Sequence, residues 1–147
     1  YTTTLNGSTG NDLFIKSFLD NTGGNHSSLE FVPVVMPHIC INTQYILSNR
    51  AFSVDHDSIA YELVPPMIND TDTVQYKPGY SSLQPIGGGF TFDPNTGNMY
   101  VNSITSDIGI YALYARQYRH GELIGKIERD IVILVDNCNN HQPAATG

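Results

Sequence analysis

Short runs rich in β-branched and aromatic residues, broken by Pro, Gly, Asn or Asp, recur along the whole chain, while apolar periodicity of 3.6 residues is almost absent. A chain patterned this way buries apolar surface by laying sheets face to face, because no segment presents the continuous apolar stripe a helix needs. The pattern predicts strands over residues 12–19, 29–35, 43–52, 58–64, 74–77, 89–92, 99–101, 109–119 and 123–135. Pro65-Pro66 ends the fourth of these, since proline cannot donate to a ladder. Asp93-Pro94-Asn95-Thr96-Gly97 reads as a tight turn in which Pro presets φ and Gly97 takes a positive φ. His120-Gly121 reads as the turn of a terminal hairpin. The fold class expected is all-β, an antiparallel sandwich or barrel.

Asp107-Ile108-Gly109-Ile110-Tyr111-Ala112-Leu113 narrows that choice. An Asp-x-Gly-x-Tyr run entering a late strand is similar to the tyrosine corner of immunoglobulin-type sandwiches, whose Tyr hydroxyl bonds back to the upstream backbone. Leu113 stands where antibody domains carry Cys, and the chain has no Trp. The expectation is an Ig-like sandwich without the antibody core, with Tyr111 and Gly97 in structural roles; a Tyr111 that only fills the core is the alternative.

Composition bounds the partners. Only 14% of the 147 residues are charged, against the usual ~25%, and Gly, Pro, Asn, Ser and Thr are abundant, which suits a turn-rich secreted protein. Fourteen acidic against seven basic residues argue against a nucleic-acid partner, which would need clustered Lys and Arg. No apolar run approaches the ~18 residues of a membrane span, so no membrane insertion is expected. The opening at Tyr1, with no visible signal segment, reads as a fragment or processed product. Cys40 and Cys138 have neither metal nor redox-motif spacing. They can pair across a loop of about 100 residues, worth up to ~4–5 kcal/mol in the chain-entropy picture, or stand as two buried thiols.

Asp20-Asn21-Thr22-Gly23-Gly24-Asn25-His26 and Asp136-Asn137-Cys138-Asn139-Asn140-His141 repeat one phrase 116 residues apart, each closing an apolar run. That spacing is what a tandem array gives when a strand ends, a polar linker follows and the next module begins. Residues 1–27 are then the last strand and linker of a preceding repeat, 28–138 the sandwich, and 139–147 the linker onward. Chance coincidence of two Asn-rich phrases is the other explanation.

The densest ligand cluster is Ser53-Val54-Asp55-His56-Asp57-Ser58, where Asp55, Asp57 and Ser53 converge as candidates for Ca2+. Calcium takes six to eight oxygens, so Asp20, Asp107, Asp130, Asp136 or backbone carbonyls would have to contribute; a solvated turn whose Asp side chains cap backbone N–H groups is the plainer reading. Arg116, Arg119 and His120 with Tyr114 and Tyr118 place basic and aromatic side chains on one hairpin, a contact surface for glycan or protein or an ordinary sheet face. Arg129-Asp130 reads as a local or cross-strand ion pair. No nucleophile elbow, metalloprotease motif or phosphate-cradling loop is present, and the five His are scattered, so the chain is not expected to be an enzyme.

In order along the chain, Leu29-Glu30-Phe31-Val32-Pro33, Ile39-Cys40-Ile41-Asn42, Ala51 to Tyr61, Pro65-Pro66, Tyr76-Lys77-Pro78-Gly79-Tyr80-Ser81, Phe92 to Gly97, Gly109-Ile110-Tyr111, Gln117-Tyr118-Arg119, Gly125, Arg129-Asp130 and Asn137-Cys138-Asn139-Asn140 carry a resemblance. The run resembles the cadherin/Ig-like repeats of very large Bacteroidetes surface proteins, gliding-motility-type adhesins exported by the type IX system. The family turn, Asp-x-Asp-Gly-Asp-Ser-Leu-x-Tyr, stands here as Ser53 to Tyr61 with Ser53 for the first Asp and His56 for Gly, so a calcium site of that kind would be weakened. Asp136 to Pro143 resembles the cadherin linker phrase without its second Asp. Asp57-Ser58-Ile59 and Asp72-Thr73-Val74 resemble that phylum's O-glycosylation signal, which implies Ser58 and Thr73 as acceptors.

The function expected is that of a non-catalytic spacer or adhesive repeat at the bacterial cell surface, partnered by neighbouring repeats of the same polypeptide or filament and by surface glycans. Its rivals are a carbohydrate-binding module of a secreted enzyme and a self-assembling shell or filament subunit.

Overall fold

The computed structural model describes residues 2–7 and 12–138 and contains ten strands and no helix. They are β1 Phe18–Leu19, β2 Glu30–Phe31, β3 His38–Cys40, β4 Tyr45–Ser48, β5 Ala51–Phe52, β6 Ser58–Val64, β7 Phe90–Phe92, β8 Asn98–Val101, β9 Asp107–Arg119 and β10 Glu122–Asp136. One sheet runs β1-β10-β9-β6, with β3 added in parallel to the end of β10. The remaining strands form β4-β8-β7 and the pair β2-β5. Only Asn49 and Arg50 separate β4 from β5; the Asn49 N–H donates to Gly97 O on one side and the Arg50 carbonyl accepts from Val32 on the other. The two small sheets therefore read as one interrupted layer, β2-(β5·β4)-β8-β7.

The layers meet over one apolar core. Leu47, Met99, Val101 and Phe90 come from the smaller layer, and Tyr61, Leu63, Tyr111, Leu113, Ile131 and Ile133 from the five-stranded sheet. Period-two alternation explains the set: in β9 the row Tyr111, Leu113, Ala115 faces inward while Tyr114, Arg116 and Tyr118 face out. The two long strands follow the sequence pattern closely, since their apolar residues are numerous and His120-Gly121 turns them with both residues at positive φ (51° and 85°). Gly97 likewise takes φ 72°, with the Tyr61 ring 3.0 Å from where a Cβ would stand.

Four expected strands come out differently, one being 43–52, which divides at Asn49-Arg50 into β4 and β5. Of residues 12–19 only Phe18–Leu19 joins a sheet, and Phe14 makes a lone bridge to Met67. Residues 29–35 keep only Glu30–Phe31, because Pro33 lacks a donor and the chain leaves one layer to reach the other at β3. Residues 74–77 form no strand and instead carry the bridge Leu5↔Tyr76. The parallel β3 was not anticipated: three residues ending in Cys40 are too short to show a period, and proximity to Asp136 comes from the far end of the chain.

Residues 2–7 lie on the outer face of the five-stranded sheet. The Thr3 N–H donates to Ile108 O at 2.9 Å and Lys77 N–H to Thr4 O at 2.9 Å, while Leu5, Val74 and Ile110 form a second small core with Ile68, Tyr76 and Val132. Residues expected to end a preceding module are thus seated on this body, and β1 extends its sheet. The linker 139–147, including Asn139, Asn140 and His141 of the second phrase, lies outside the described residues.

Candidate functional site: an arginine-centred lock

The inward row of β9 continues past the apolar core as Ala115, Gln117, Arg119, and the matching row of β6 runs Tyr61, Ile59 and back to Asp57. The register pairs Ile59 with Gln117 and Ser58 with Tyr118, so Asp57 and Arg119 are the next opposite rung, just beyond the ladder. Arg119 Nε donates to Asp57 Oδ1 at 2.6 Å and Nη2 to Oδ2 at 3.0 Å, a bidentate geometry that a planar guanidinium suits. Gln117, with no solvent exposure, donates through Nε2 to Asp57 Oδ2 at 2.5 Å and to Ser27 O at 3.0 Å. Ser53 Oγ donates to Asp57 Oδ2 at 3.0 Å. The carboxyl of Asp57, its side chain only 3% exposed, is held down to a pKa of about 2, chiefly by the Arg119 guanidinium.

The same guanidinium ties down the segment after β1. Its Nη1 lies 2.6 Å from His26 Nδ1 and its Nη2 3.2 Å from Asp55 Oδ2. Asp55 Oδ2 in turn accepts the Ser27 N–H at 2.8 Å, and that backbone bond is the main reason its carboxyl titrates below the ordinary value. Earlier in the segment, Asp20 Oδ1 accepts from Thr22 N–H and hydroxyl and Asn21 Oδ1 from the His26 N–H, so the first Asp-Asn phrase folds as capped turns. Three stretches distant in sequence, 20–27, 53–58 and the β9–β10 hairpin, converge on one cation.

For calcium this arrangement does not fit. Both oxygens of Asp57 and one of Asp55 already accept N–H or O–H donors, Ser53 spends its hydroxyl proton on Asp57, and a guanidinium stands where a metal would have to sit. His56 takes φ 62°, a left-handed conformation that glycine would adopt without strain. Among the described residues no group of three or more His, Cys, Asp or Glu is placed to hold a metal ion. The further oxygens considered in the sequence are elsewhere: Asp107 accepts from Gly87 N–H (2.7 Å) and the hydroxyls of Tyr80 and Thr3, Asp130 lies on the outer face of β10, and Asp136 caps Asn137.

The other singled-out residues are dispersed. Cys40 and Cys138 form a disulfide that fixes β3 to the end of β10. Tyr111 is fully buried, its hydroxyl 3.5 Å from Asn49 Nδ2 and its ring 6.0 Å from that of Phe90; the partner is a side chain on the facing layer, and no bond of the corner type to upstream backbone is present among the described residues. The tyrosine that does grip backbone is Tyr61, whose hydroxyl accepts the Ala51 N–H at 2.8 Å. Ser58 is exposed at the start of β6, whereas Thr73 is half-buried. Arg116, Tyr114 and Tyr118 share the outer face of β9, while Arg119 lies on the other face; Arg116 pairs with Glu62, and Lys126 stands 3.7 Å over the Tyr114 ring. Arg129 and Asp130 point to opposite faces and make no pair: Arg129 stacks on Phe31 at 4.2 Å. No family model, curated protein or solved structure matches the chain.

Proposed function

We propose that this chain is a structural repeat of a large extracellular surface protein or filament, an adhesive spacer that carries load between neighbouring repeats. The observation that carries this reading is the Arg119 lock, which spends the densest polar cluster on fastening residues 20–27 to the sandwich and engages both of its aspartates. The strand order supports an Ig/cadherin-like type: β2-(β5·β4)-β8-β7 facing β6-β9-β10 parallels the ABED and CFG sheets of constant-type immunoglobulin domains. The disulfide supports an oxidising, extracellular location at the bacterial surface. In this reading Arg119 supplies the positive charge that calcium supplies in cadherin-like linkers, and stiffness comes from the lock, the disulfide and packing. Surface glycans are secondary partners, and the repeated Asp-Asn phrase marks the junctions of an array in which each module touches only its neighbours.

Force spectroscopy on a tandem chain of this module tests the reading. Load-bearing repeats give evenly spaced unfolding events whose length grows on addition of a dithiol reductant, as residues between Cys40 and Cys138 become extensible. A single weak event, or irregular detachment without a repeat length, would overturn it.

A further inference from the structure

β10 is fifteen residues long, yet its outer edge is paired only at Gly125–Lys126 by β1 and at Leu134–Asp136 by β3. Between them residues 127–133 have no ladder partner on that side. The Leu134 N–H donates outward to Pro37 and the Asp136 carbonyl accepts from Ile41, so by the period of two the backbone groups of Glu128, Asp130 and Val132 point outward as well. None of them has a backbone partner there among the described residues. Unpaired edge groups are a template for another strand. This stretch is no frayed end: Glu128 and Ile131 are 7% and 6% exposed, and it forms the floor of a groove of about 450 Å³.

The opposite wall is residues 33–36, bracketed by Pro33 and Pro37, which lack N–H donors and cannot close onto β10 as a ladder. That wall turns Val35 (88% exposed) and Met36 (61%) to solvent. Two ionisable groups line the groove with no hydrogen-bonding partner among the described residues: both carboxyl oxygens of Asp130, and Nη1 of Arg129, all enclosed by neighbouring atoms. Being consecutive in a strand, they lie on opposite faces of the sheet. A strand laid along the edge would meet Asp130 with one side chain and Arg129 with an adjacent one.

We propose that the uncovered edge of β10 is a docking slot for an extended peptide segment of a partner protein, one carrying a Lys or Arg beside an Asp or Glu between apolar residues. The partner adds a strand between β1 and β3, its backbone pairing with Glu128, Asp130 and Val132, its cation facing Asp130 and its carboxylate facing Arg129. The slot depends on the geometry of β10 alone and stands or falls independently of the spacer reading.

The test is an NMR titration of the whole isotope-labelled chain with the synthetic peptide Thr-Val-Lys-Glu-Val-Thr, preceded by amide exchange on the free chain. In the free chain the amides of Glu128, Asp130 and Val132 are expected to exchange at least tenfold faster than those of Arg129, Ile131 and Ile133, which bond to β9. On titration the three outward amides shift and slow; a peptide with Lys and Glu each replaced by the opposite charge binds at least tenfold more weakly, as does Asp130→Asn toward the original peptide. Slow exchange of the three amides in the free chain would show the edge already covered, and would overturn the slot. So would shifts centred elsewhere, no binding at millimolar peptide, or equal binding of the charge-reversed peptide.

Discussion

At the scale of single residues, Asp57 and Asp130 titrate in opposite directions, and each direction sets a pH window. The Asp57 carboxyl is depressed to about 2 from the ordinary 3.8, so the stability its charge provides is present above the ordinary value and is lost as pH falls toward 2. Asp130 is raised to about 7 by burial and by Glu128, so between roughly pH 4 and 7 the unfolded chain releases a proton that the folded chain keeps. Stability therefore declines across that window and levels off above it. Asp130→Asn is expected to remove the decline, so that its melting temperature exceeds the wild-type value at pH 8 and matches it near pH 4; thermal melts across pH check this. Gly89 gives a steric counterpart. It takes φ 64°, and a Cβ there would stand 2.0 Å from the backbone oxygen of Asn102, so Gly89→Ala is expected to cost about 2–3 kcal/mol by denaturant titration, the scale of overpacking and backbone strain.

At the scale of elements, β3 is three residues long and owes its place to the disulfide and to Ile39, which is 1% exposed in the core. The Cys40→Ser/Cys138→Ser variant frees a loop closed over a sequence separation of 98, and is expected to lose about 4–5 kcal/mol in chemical denaturation. The strands that the sequence made legible were those with a clear period or a strong turn beside them: Ser58–Val64 falls where the pattern placed it, β9 and β10 within two residues, and the short β7 and β8, joined by the Asp93–Gly97 turn, within one. Elements that depend on distant partners were not legible. β3 is parallel to a strand about 96 residues away, and Val74 with Tyr76 packs on Leu5 without forming a ladder. The polar cluster was half legible: the 53–58 turn stood out by its carboxylates, but its cation came from Arg119, grouped by local sequence with Arg116 and Tyr118 although parity places it on the other face. Counting parity from buried Leu113 through Ala115 and Gln117 would have assigned Arg119 inward, opposite Asp57.

At the scale of the whole molecule, most of the chain lies between Cys40 and Cys138, so an oxidised module under load can extend only outside that loop. Reduction is expected to add about 330 Å of contour length per module, at ~3.4 Å for each residue released. The central claim is that a protein cation, not a bound metal, closes the end of the sandwich. Thermal melts of the chain in EDTA and in millimolar Ca2+, with Arg119→Gln alongside, test it most directly. Coincident wild-type curves, and an Arg119→Gln curve displaced downward equally in both conditions, are expected. A calcium ion bound only by the folded state at ~100 times its Kd would add about 2.7 kcal/mol, so a clear upward shift of the wild type that Asp55→Ala/Asp57→Ala abolishes would contradict the account.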